Sequence, residues 1–141
     1  MSEVDPVGLI AGTTDSTPLR FGVAVGSDAY LQLDDVVTTT RDVAGVGIVR
    51  TSGIVTQVAA RHEGASYGSD TFLIAEGVLP AHVQEIAEIT TTRVIPECYV
   101  PPSPGTVAVR ATGAERDEAL YFDTMEHRVA VGLGRDGQPV Y

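Results

Sequence analysis

The chain has no lysine. That excludes a phosphate-binding loop of the GxxxxGK[ST] kind, whose lysine ammonium sits on the terminal phosphates of a nucleotide. Tryptophan is missing too, and aromatics are only 6% of the residues, so the core must be built from valine, isoleucine, leucine and alanine. Cys98 is the single cysteine. It rules out an internal disulfide and fits a reducing compartment, the cytoplasm. Positive charge is scarce: nine arginines face nineteen acids, a formal net charge of −10. Nucleic acid is held through Lys and Arg contacts to phosphate, and anionic membranes recruit basic segments, so neither partner suits these residues. The acidity reads as a solvated surface. No apolar run approaches the roughly 18 residues that cross a bilayer, and residues 1–6 have neither the basic nor the apolar stretch of a signal peptide.

A chain of 141 residues suits one domain with its own core. Valine and threonine are abundant and strong helix formers are thin, which favours strands. Residues 7–11 are a short apolar run. Over residues 19–25, Leu19, Phe21, Val23 and Val25 alternate onto one face, as in a half-buried strand. Residues 36–40 are β-branched throughout, and 41–45 read as a loop. A long strand is expected over 47–61, bent between Ser52 and Gly53, because an interior glycine marks a bulge or barrel corner. Its second half, 54–59, reads as the most buried piece.

Residues 62–70 are rich in Gly, Ser and charge and read as a loop; 79–84 fit one helical turn, with Pro80 at its first position. The threonine triplet at 90–92 tips 86–95 toward strand. Prolines at 96, 101, 102 and 104 then break regular structure before a strand at 106–111. Residues 113–120 are the best helical stretch, with acids in the first turn where the helix dipole favours them. Residues 129–133 and 138–141 flank an Asp136-Gly137 hairpin turn. Six or seven short strands with glycine-marked bends predict a mainly all-β fold, a small closed barrel with one or two short helices, since closure removes exposed sheet edges.

No catalytic constellation is visible. Residues 132–137 spell GxGxxG, but Pro139 follows where a dinucleotide fingerprint needs a helix; this is a hairpin turn. Asp15-Ser16-Thr17 and Asp123-Thr124-Met125 lack the glycine of the aspartic-protease motif, which lets two carboxylates approach and share a proton. His62, His82 and His127 stand singly, without the i,i+4 partner or cysteine pair of a zinc site. Cys98 reads as a packed small apolar group, and Arg116 as a member of local ion pairs with Glu115, Asp117 and Glu118.

Residues 7–13, 17–21 and 30–37, together with Gly53-Ile54-Val55, resemble the opening of the HerA-type ATPases, DNA translocases whose first domain is the HAS barrel. The likeness is strongest over 96–105, 110–123 (RATGAERDEALYFD) and the terminal GLGRDGQPVY. The resemblance implies a HAS-type barrel over residues 1–110. Residues 111–141 would be a connecting helix and hairpin leading toward a RecA-like ATPase domain that these residues do not include. ATP, Mg²⁺ and DNA would belong to that motor domain, so no catalytic, cofactor-binding or metal residue is carried onto this chain. The implied role is structural: barrels lined up on one face of a hexamer, docking a NurA-like nuclease or another effector. Tyr30, Leu31 and Leu33, beside Asp34 and Asp35, are the candidate contact residues, with burial in the core as the competing assignment. Two other readings remain at this point. One is a self-contained barrel that binds a small ligand or hydrolyses one with Cys98 and a histidine, which requires a deep apolar pocket with converging polar groups. The other is a stand-alone accessory subunit of a phage or secretion assembly.

Overall fold

The valine- and threonine-rich segments become strands. The computed structural model describes residues 5–62, 75–77, 83–135 and 137–141. In it β1 (Pro6–Ile10), β2 (Arg20–Val25), β3 (Val36–Val43), β4 (Gly47–His62), β5 (Val83–Ile95) and β6 (Val107–Arg110) close an antiparallel barrel of order β1-β2-β5-β4-β3-β6. A six-residue helix, α1 (Ala114–Ala119), follows, then a 3₁₀ turn (Phe122–Thr124) and a two-stranded ribbon of β7 (Gly132–Leu133) and β8 (Pro139–Val140). The fold is mainly β, as the composition predicts.

The two longest strands show how the barrel bends. Between β4 and β5 the pairing slips twice. Ser52 faces Arg93 but Gly53 faces Thr91, which leaves Thr92 as an extra residue on β5. Val55 faces Ile89 but Gln57 faces Glu88, which leaves Thr56 extra on β4. Each bulge reverses the inward–outward alternation beyond it. On β5 the buried residues therefore pass from Ala87 and Ile89 to Val94, and on β4 the core side passes from Val55 to Val58. The bend expected between Ser52 and Gly53 is present. Glycine is needed there, because a Cβ on residue 53 would lie 2.5 Å from Ile89 Cγ2 and 2.6 Å from the Thr90 carbonyl oxygen.

Four local expectations are corrected. β3 continues through Arg41, Asp42 and Val43, which pair with Val49, Ile48 and Gly47, so the turn shrinks to 44–46. Ladder bonds outweigh side-chain polarity here, where Asp42 and Ile48 face solvent and Val49 is buried. The second half of β4 is mostly exposed: within 54–59 only Val55 is buried, because β3 ends opposite Ile54 and β4 then leaves the closed wall. Leu19 is exposed, since β2 starts one residue later and Leu19 contributes its carbonyl, which accepts from the Thr91 amide (2.9 Å). Val83 and Gln84 open β5 and are not helical. The rest of that expected turn, and the loop expected after His62, lie outside the described residues.

Val7, Ile10, Phe21, Val23, Leu31, Val37, Val55, Ala87, Ile89 and Ala108 fill the barrel. A smaller apolar patch on the outer wall, made of Val36 and Ala111, seats Ala119 and Leu120 of the helical segment. No helix among the described residues is long and apolar enough to cross a membrane.

Candidate docking surface

β2 leaves the barrel wall into the loop 26–35, which carries all five nominated contact residues. The loop is tied at both ends. The Gly26 amide donates to the Val7 carbonyl (2.9 Å), and Val55 accepts from the Asp34 amide (3.0 Å) while donating to the Asp35 carbonyl (2.9 Å). Inside it, the Gln32 amide donates to Asp35 Oδ2 (3.0 Å) and the Asp35 amide to the Gln32 carbonyl (3.2 Å). Asp34 takes φ 73°, a left-handed conformation that Asp adopts more readily than most residues.

These constraints sort the candidates. Leu31, 5% exposed, points into the barrel and belongs to the core. Tyr30, 60% exposed, and Leu33, 48% exposed, face outward, with Asp34 and Asp35 beside them.

What holds Tyr30 is a residue that the sequence pattern did not nominate. Arg110, at the end of β6, donates through Nη1 to Asp5 Oδ2 (2.9 Å) and through Nη2 to the Tyr30 carbonyl. Its Nε lies 3.7 Å from Asp35 Oδ2. The guanidinium sits 4.7 Å from the centroid of the Tyr30 ring. One arginine thus fixes the ring, the loop backbone and two carboxylates. Eighty residues separate Arg110 from Tyr30, so no local spacing could announce the pair. The result is an aromatic side chain held in one orientation with its outer face free. Such a group loses little further conformational freedom when a partner covers it. Asp28, Asp34 and Asp35 make the loop acidic, which suits an apolar socket with a basic rim.

A second set of arginines mounts the arm that follows the barrel. Arg50 on β4 pairs with Glu118. Arg93 Nη1 on β5 donates to the Glu118 carbonyl (2.9 Å) and to Asp123 Oδ1 (2.9 Å), and its guanidinium lies 4.6 Å from the Tyr121 ring centroid. Arg116 does form the expected local ion pair, 3.8 Å from Asp117 Oδ1, and also faces the Phe122 ring at 5.8 Å. Arg128 Nη1 donates to the Phe122 carbonyl (3.2 Å) and stacks on Tyr141, which itself meets Phe122 edge to face at 5.1 Å. Between α1 and the outer wall a crevice of about 80 Å³ remains, lined by Asp5, Thr38, Arg50, Ser52, Arg110 and Glu115.

The other sequence motifs have structural roles. In the 132–137 segment the Gly134 amide donates to the Gln138 carbonyl (2.7 Å) and the Gly137 amide to the Gly134 carbonyl (3.0 Å), closing the ribbon as a hairpin. Ser16 Oγ donates to the Pro102 carbonyl (2.6 Å) and Thr17 Oγ1 to the Arg20 carbonyl (2.7 Å), while Asp123 is the partner of Arg93. Cys98 is half-buried in the turn after β5, His62 ends β4 and His127 is exposed; His82 is outside the described residues. Among the described residues no three of His, Cys, Asp and Glu gather where they could hold a metal ion. Compared with known proteins, the chain matches no family model and no curated sequence.

Proposed function

We propose that this chain is a non-catalytic barrel that serves oligomerisation and docking in a HerA-like hexameric ATPase and DNA translocase. In this reading a NurA-like nuclease or another effector seats on the outward face of Tyr30 and Leu33, with the acidic loop as its rim. ATP, Mg²⁺ and DNA belong to a RecA-like motor domain and not to these residues. The protein works in the cytoplasm.

One observation supports the reading most. Segment 110–123, one of the three stretches where the likeness is strongest, supplies the residues that hold barrel, loop and arm together: Arg110 under Tyr30, Glu118 against Arg50, and Asp123 against Arg93. A mounting segment accounts for that pattern, whereas a catalytic segment would carry converging nucleophiles or acid–base pairs. The barrel interior is filled with aliphatic side chains and one phenylalanine. The test is direct. Incubated with ATP and duplex DNA at physiological salt, the chain should neither release phosphate nor shift DNA mobility. Measurable hydrolysis or submicromolar DNA binding would refute the proposal.

A further inference from the structure

We propose that residues 56–62 of β4 form a self-pairing sheet edge, through which two copies of this chain join about a two-fold axis. β5 covers one side of β4 from the pair Arg50–Ile95 to the pair His62–Val83. β3 covers the other side only as far as Ile54, and the loop backbone extends this by one residue through the two bonds of Val55. From Thr56 to His62 the backbone groups turned away from β5 have no backbone partner among the described residues. Seven residues at ~3.3 Å each make an open ladder of roughly 23 Å.

Such an edge is a template for another strand unless the sequence blunts it. This one reads Thr-Gln-Val-Ala-Ala-Arg-His: no proline, no glycine and no acid. The two alanines at its centre, Ala59 and Ala60, are exposed and leave room for a neighbouring strand. Charge selects the occupant. Two copies that each carry −10 repel over most of their surface, yet this segment holds no carboxylate. Antiparallel pairing centred on Ala59 sets Arg61 opposite Gln57, which places the two arginines at opposite ends of the ladder. The contact is isologous, so it closes at two copies and does not propagate. It needs only the open ladder and does not depend on the proposed function.

The test uses the intact chain. Sedimentation equilibrium should show a monomer–dimer equilibrium that strengthens with added salt, because salt screens the repulsion of the acidic bodies. In a Cys98→Ser background, Ala59→Cys should form an inter-chain disulfide under mild oxidation, whereas Leu19→Cys, exposed and off the edge, should not. Ala59→Asp should lose the dimer at concentrations where the unmodified chain is dimeric. A chain that stays monomeric up to millimolar concentration overturns the proposal. So does a dimer that Ala59→Cys fails to capture, which would use another surface. Slow hydrogen exchange, in the monomer, of those 57–62 amides that point away from β5 would also overturn it, because the chain would then be covering its own edge.

Discussion

A methyl group on residue 53 would have to displace Ile89 and the Thr90 carbonyl, and backbone cannot give way as a flexible side chain can. Gly53→Ala should therefore cost about 1–3 kcal/mol, read as a lower urea midpoint at unchanged slope. Gly132→Ala is the control. Nothing lies within 4 Å of its Cβ position, and the change should stay within about 0.5 kcal/mol. Tyr30 makes a different kind of prediction. Its ring is mostly outside the fold, so Tyr30→Ala should lower stability by no more than about 1 kcal/mol. Under the proposed docking role, affinity for the partner effector, measured by titration calorimetry, should fall by about 2 kcal/mol or more, as it does for buried aromatic anchors. Equal loss in both measurements would mean that Tyr30 only braces the loop. The sequence could show that Tyr30, Leu31 and Leu33 were apolar and clustered. It could not show which of them turned inward, because loop backbone has no fixed side-chain period and the deciding bonds come from Val55 and Arg110, far along the chain.

At the scale of elements, α1 is too short to persist alone, since isolated helices shorter than about 12–15 residues are marginal in water. Its stability comes from a small apolar seat and from Arg50 and Arg93 on the neighbouring wall. A double-mutant cycle on Arg93→Ala and Asp123→Ala should give a coupling of about 0.5–1 kcal/mol at low salt, smaller at high salt. Hydrogen exchange should speed up over 114–120 in Arg93→Ala while the β2–β5 ladder keeps its protection. A uniform rise across the barrel would contradict this division. Much of the element order was legible. The threonines at 90–92 marked a strand, Gly53 marked a bend, and Asp136-Gly137 marked a hairpin. What escaped was the phase beyond each bulge. Thr56 and Thr92 look like ordinary strand residues, and their insertion depends on the register of the partner strand, which composition does not encode. The burial expected for 54–59 failed for a different reason: β3 ends opposite Ile54, and an apolar pattern shows that a face could be buried but not whether a neighbour covers it.

For the molecule as a whole, closure and charge pull in different directions. The barrel gathers its apolar side chains into one core, and the surface then carries the −10. Self-repulsion of that size destabilises the compact state, so the midpoint of thermal unfolding should rise as salt is added. The attachment of α1, held by ion pairs, should weaken over the same titration. Opposite signs for body and arm, followed by calorimetry and by exchange at 114–120, separate the two effects; a fall in both would show that ion pairs dominate the barrel as well. A hexameric ring needs a head-to-tail contact between unlike surfaces. The acidic loop around Tyr30 can contribute to such a contact only where its neighbour presents arginine.

The guanidinium–ring stacks have an optical consequence. With no tryptophan, near-ultraviolet absorption and emission come almost wholly from five tyrosines. Tyr121 and Tyr141 lie under Arg93 and Arg128 in the arm, and Tyr30 under Arg110 in the loop. Their fixed, asymmetric surroundings make the aromatic dichroism a gauge of arm and loop, while the far-ultraviolet signal follows the strands. An agent that frees the arm and leaves the barrel intact would dim one band and spare the other, so the chain carries its own unlabelled reporter.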